Sequence, residues 1–169
     1  ENSWGLGATY VTSAGDTALT IGGGISGSEV AVLNTQSAAD DGGFTIGVSA
    51  VTGDLTVAVG YADGDTTTGV ASNTNKQVDG DVLKAGVKYV TGDITMNLGV
   101  VSGSGIDNVF AATNTAADSH DEINASITYA VASGVSAVLG YTNVDISDEN
   151  AAVQTAGGSS WYVGATMSF

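Results

Sequence analysis

The chain has no cysteine and no proline among its 169 residues, and its only cations are Lys76, Lys84 and Lys88. Without cysteine there is no disulfide framework and no thiolate metal site. Without proline, collagen-like and proline-rich linker classes are excluded. Three basic residues against 18 acidic ones leave a formal net charge of −15, which disfavours nucleic acid, since its binding needs Lys and Arg to neutralise phosphates. Long hydrophobic runs are also missing. The apolar stretches are broken by Gly, Thr, Ser and Asp, and none approaches the roughly 18 continuous residues of a membrane-spanning helix. Glu1-Asn2-Ser3-Trp4 shows no basic-then-apolar run, so no signal peptide is expected there.

What is present is 25 glycines and 43% hydrophobic residues, with only 12% charged. That apolar content is too high for a disordered acidic chain. It recurs in a repeat of about forty residues. Tyr10-Val11-Thr12, Ala50-Val51-Thr52, Tyr89-Val90-Thr91 and Tyr129-Ala130-Val131 each precede a short turn rich in Gly, Asp or Ser. Alternation on either side predicts strands. Leu83, Ala85, Val87 and Tyr89 share one face, followed by Ile94, Met96, Leu98 and Val100. Equivalent sets begin at Trp4, Leu19, Phe44, Leu55, Ile123, Val135 and Trp161, giving nine strands.

Residues flanking a two-residue hairpin loop pair with each other and must share a face. Thr52 and Leu55 do so around Gly53-Asp54, as do Thr91 and Ile94 around Gly92-Asp93. A three-residue loop, 132–134, ending in Gly134, and a four-residue loop, 13–16, are expected for the other two hairpins. All four then keep one apolar face continuous. The remaining connections, roughly 27–42, 63–80, 103–121 and 143–159, are polar and are expected to be long loops. Short turns at one end and long loops at the other is the arrangement of outer-membrane barrels.

The face opposite the apolar one is small: Gly22, Gly24, Gly47, Gly60, Gly86, Gly99, Thr9, Thr45, Thr95 and Thr128 belong to it. Such residues cannot fill a sandwich core at normal packing density, so the large side chains are expected to face lipid. Aromatics of that outward parity fall at strand ends. Tyr10, Tyr89, Tyr129 and Phe169 lie at the short-turn end, with Trp4, Phe44, Tyr61, Tyr141 and Trp161 at the other. Two such belts bounding an aliphatic band are expected at two membrane interfaces. The fold class is therefore all-β, an antiparallel transmembrane β-barrel wall of nine strands over residues 1–169.

The closing Trp-Tyr-Val-Gly-Ala-Thr-Met-Ser-Phe is similar to the last strand of Gram-negative outer-membrane proteins. The Gly/Thr-rich, acidic, proline-free hairpins resemble general porins of the alphaproteobacterial type. That resemblance implies a sixteen-stranded barrel, assembled as a homotrimer in the outer membrane. Its water-filled channel would pass small hydrophilic solutes and ions with no reaction and no required cofactor. In such a barrel both termini are periplasmic. Here the first strand descends from the long-loop side, so nine strands match the C-terminal half of a longer barrel.

Alternation turns Lys84 and Lys88 away from the lipid face, along with Thr95, Asn97, Asn124 and Thr128, and these six are the expected pore-lining residues. The resemblance makes the two lysines part of the basic wall of a pore; pairing with a neighbour such as Asp81 is the alternative. Most acids lie in or beside the long connections. Asp40, Asp41, Asp63 and Asp65 are oxygen donors of the kind that suits Ca²⁺, though without EF-hand spacing. Asp118-Ser119-His120-Asp121-Glu122 holds the one histidine and reads as an ordinary loop. The competing functions are a small outer-membrane barrel with a plugged lumen, and a secreted, Ca²⁺-stabilised β-rich adhesin. An enzyme is not expected.

Overall fold

A computed structural model describes residues 2–30, 39–70, 74–107, 118–147 and 156–168. These form a single sheet of nine strands: β1 (Asn2–Ala14), β2 (Thr17–Val30), β3 (Ala39–Thr52), β4 (Leu55–Val70), β5 (Thr74–Thr91), β6 (Ile94–Asp107), β7 (Asp118–Ala132), β8 (Val135–Ser147) and β9 (Ala156–Met167). Each strand pairs antiparallel with its neighbours in chain order. No helix is present among the described residues. The sheet is open, since no pairing joins β9 to β1.

The three Gly-Asp turns share one design. Gly15, Gly53 and Gly92 have φ of 60°, 53° and 54°, the left-handed conformation that primed hairpin turns need and that glycine supplies without a Cβ clash. The first hairpin therefore differs from expectation. Its loop is the two-residue Gly15-Asp16 turn, with Ala14 paired to Thr17, and not the four residues 13–16. The register moves by two residues, so the apolar face is unchanged. At the fourth hairpin Ala130 pairs with Ser136 and Ala132 with Val135, a bulge next to Gly134 at φ 74°. This is the register of a three-residue loop closed by a left-handed glycine.

The strands outrun their sequence signal. β4 and β5 stay paired out to Val70–Thr74, through a stretch expected to be loop. Lys76 and Asp118–Glu122 likewise lie within strands. Beyond a membrane both faces of a hairpin meet water, so alternation fades while backbone pairing continues.

No large side chain is fully buried among the described residues, and no polar group is. The sheet has no core of its own. Its apolar face lies open, with Leu6 70%, Ile25 50% and Leu98 51% exposed. A water-soluble sheet would cover such a face; a barrel wall leaves it to lipid.

Candidate functional site: the inner face between two aromatic belts

The register converts the aromatic positions into a depth scale. One row of partners runs Tyr10, Ile21, Val48, Val59, Ala85, Val100, Ile123, Asn143, Ser159 across all nine strands. Relative to that row Tyr89 lies four residues lower, four strands from Tyr10, and Tyr129 lies six residues lower, six strands away. The upper aromatics descend alike. Trp4 is six residues above the row on β1 and Trp161 two below it on β9. Both belts thus drop one residue per strand. One residue of about 3.3 Å against a strand spacing of about 4.8 Å is a tilt of about 35°, within the range of outer-membrane barrels. The belts stay six residues apart, about 20 Å along a strand. With one flanking residue at each end, this is the roughly nine-residue tilted strand that crosses a bilayer.

The upper belt is packed as well as aligned. Phe44 and Tyr61 have ring centroids 5.7 Å apart, and Tyr141 and Trp161, directly opposite in the register, 4.6 Å apart. Phe169 lies outside the described residues. Between the belts every outward position is apolar or glycine, from Leu6 and Ala8 on β1 to Val163 and Ala165 on β9. Outward carboxylates begin just above the upper belt, where Asp63 pairs with Asp81 and Asp121 with Asp145 in the register.

The inner face differs. Among the described residues Lys84 and Lys88 are the two charged side chains between the belts, and both have the inner parity. Midway between the belts β5 carries Gly86, so the lysines stand two residues above and two below mid-depth. Neither forms an ion pair; the one ion pair among the described residues joins His120 and Glu122. The suggested partner Asp81 has the opposite parity and accepts a hydrogen bond from Ser104 Oγ.

Three of the other expected pore-lining residues, Asn97, Thr95 and Thr128, gather around Lys88. Asn97 is its register partner on β6, and Asn97 Nδ2 donates to Ser126 Oγ at 3.2 Å. Thr95 and Thr128 pair with each other one inner row below. Asn124 belongs to a separate column higher on β7. Its Nδ2 donates to Glu122 Oε1 at 2.7 Å, and His120 Nε2 lies 3.5 Å from Glu122 Oε2. Glu122 stands one residue above the upper belt level. The Asn124 amide, then His120, hold its carboxyl below the usual carboxylate range.

Sequence reasoning passed over two inner-face features. Tyr162 has the inner parity on β9. Its ring lies against Gly140, so closely that a Cβ on Gly140 would overlap it. Ser126 completes the row from Lys88 to that ring: Lys88, Asn97, Ser126, Gly140, Tyr162. The signal was available in the inner parity of both residues. Of the suggested cation ligands only the side chain of Asp63 lies among those described, and it accepts a hydrogen bond from Tyr61 Oη at 3.2 Å; those of Asp40, Asp41 and Asp65 lie outside. No group of three or more ligating side chains comes together among the described residues.

No protein-family model matches the chain, and no curated protein sequence does. Solved structures do. Outer-membrane-expressed OmpT of Vibrio cholerae superposes with a TM-score of 0.63 at 16% identity, over 98% of this chain and 56% of that one. In-vitro folded OmpT from the same organism, in a trimer form, gives 0.62 at 16%, over 94% and 54%. BauA of Acinetobacter baumannii, a ferric preacinetobactin receptor, gives 0.50 at 12%, over 96% and 36%. The chain spans about half the length of the Vibrio proteins. The shared feature is the fold, and this chain has the wall of an outer-membrane β-barrel.

Proposed function

We propose that the chain forms part of the wall of a water-filled channel in the outer membrane, a porin through which small hydrophilic solutes and ions diffuse without reaction or required cofactor. One observation carries this. Between the belts the inner face is mostly Gly, Ala, Ser, Thr and Asn, with two unpaired lysines, Val138 and the single ring of Tyr162, a surface suited to water and with too few bulky side chains to plug a barrel. The free edges of β1 and β9 need partners, because unpaired backbone groups cannot face lipid. Strands outside this sequence supply them, sixteen in all by the resemblance to general porins. A homotrimer fits the smooth outward positions Ala8, Gly23, Ala125, Ala137 and Ala165, and the similar Vibrio protein is described in a trimer form.

The test is conductance of the intact protein in planar bilayers. Stepwise, ohmic current is expected. A correctly assembled protein that passes none would overturn the proposal in favour of a plugged barrel.

A further inference from the structure

A trough of about 400 Å³ lies on the inner face, lined among others by Lys88, Asn97, Asn124, Ser126 and Tyr162. Four of these share one register row, which climbs as the belts fall. Lys88 stands two residues below mid-depth, Asn97 one below, Ser126 at mid-depth, Gly140 one above and Tyr162 two above. The row thus ramps across the middle of the membrane. β5, β6 and β7 in turn present a cation, an amide and a hydroxyl, spaced about 4.8 Å per strand, and β9 supplies an aromatic ring that lies over Gly140 of β8. Gly140 is the buried residue beneath the Tyr162 ring, which is itself 49% exposed.

The charges set the sign of what can sit there. The chain is strongly acidic overall, yet its charge between the belts is that of Lys84 and Lys88 alone among the described residues. Above the row the nearest inner-face carboxylate among the described residues is Glu122, at the outer end and engaged by Asn124 and His120; below it, Asp54 and Asp93 lie past the lower belt in the short turns. An anionic group is therefore drawn to Lys88 and repelled from the Glu122 end. Asn97 and Ser126 offer hydrogen bonds to hydroxyls, and the half-exposed ring of Tyr162 offers an apolar surface with a polar tip.

We propose that this row is a binding subsite for a hydroxylated ring carrying one anionic group, a sugar phosphate or sugar acid. The inference rests on the channel reading. The anion lies at Lys88, the hydroxyls along Asn97 and Ser126, and the ring's C–H face against Tyr162.

The experiment uses the intact protein in planar bilayers at low salt, with glucose 6-phosphate, glucuronate, glucose and inorganic phosphate as probes. Absence of conductance would sink the channel reading itself. Given conductance, glucose 6-phosphate and glucuronate should reduce the current saturably, at lower concentrations than glucose or inorganic phosphate. Lys88→Gln should raise the half-blocking concentration of both charged sugars about tenfold, the scale of one charge-assisted hydrogen bond. Tyr162→Leu, which keeps apolar bulk on the wall, should weaken both sugars' block while leaving inorganic phosphate unchanged. A conducting channel in which inorganic phosphate blocks as well as glucose 6-phosphate, or in which either variant leaves the charged sugars unaffected, refutes the subsite.

Discussion

Leu98 offers the sharpest test of which face meets lipid. It sits midway between the belts on β6, with outward parity and half its surface exposed. Leu98→Lys would place a cation three residues from either belt, about 8 Å of depth at the tilt above. An extended lysine reaches roughly 6 Å and so cannot bring its head fully to an interface by snorkelling. The cost should fall in the upper part of the roughly 2–4 kcal/mol found for a cation at mid-membrane on a lipid-facing position. Thr128→Lys is the control. It lies two residues below mid-depth on the inner face, and its register neighbours Thr95 and Val138 carry no charge. A lysine there meets water and should change stability by no more than about 0.5 kcal/mol. Reversible urea unfolding of the intact protein in vesicles, followed by tryptophan fluorescence, reads both. At about 1–3 kcal/mol per molar urea, Leu98→Lys should lower the midpoint by about 1 M or more. If Thr128→Lys were the costly substitution and Leu98→Lys the silent one, the faces would be inverted and every assignment to the inner face would fall with them.

Replacing Lys84 and Lys88 together by Glu should shift channel selectivity towards cations at low salt. The shift should shrink at 1 M, where the Debye length is about 3 Å; reversal potentials under a salt gradient measure it. Gly140→Ala should push the half-exposed Tyr162 ring aside, because the new Cβ meets only the ring's far end, and should change stability by no more than about 0.5 kcal/mol; a shifted NMR signal of the Tyr162 ring reads the displacement, and an unmoved ring would refute it. Because the Glu122 carboxyl is held below its usual range by Asn124 and His120, its contribution to stability is present above the ordinary carboxylate pKa and is lost as pH falls through the lowered one. Asn124→Ala should move the Glu122 titration upward, visible by carbon NMR of the side chain, and an unmoved titration would break the assigned cause.

Most of the wall was legible because lipid imposes one rule on every strand between the belts. Large residues alternate with small ones there, and parity alone fixes the face of Lys84, Asn97 and Leu98. Local chemistry could not fix the register of the first hairpin, since a loop of 13–16 and a turn at Gly15-Asp16 keep the same parity; the left-handed glycine decides it. Nor could it reveal strands beyond the membrane, such as Asp118–Glu122, where water on both faces removes the alternation. The row from Lys88 to Tyr162 was hidden for a different reason. Its members are separated by up to 74 positions in sequence, and only the accumulated pairing of β5 through β9 sets them side by side. The tilt emerges in the same way. A belt residue such as Tyr89 means only an aromatic at a strand end until eight registers are chained. Then its place on a line falling one residue per strand fixes how deep each inner side chain stands. Depth, in turn, gives the two lysines their weight: the same pair above the upper belt would be two more solvated charges, whereas at mid-membrane they set the sign of the wall.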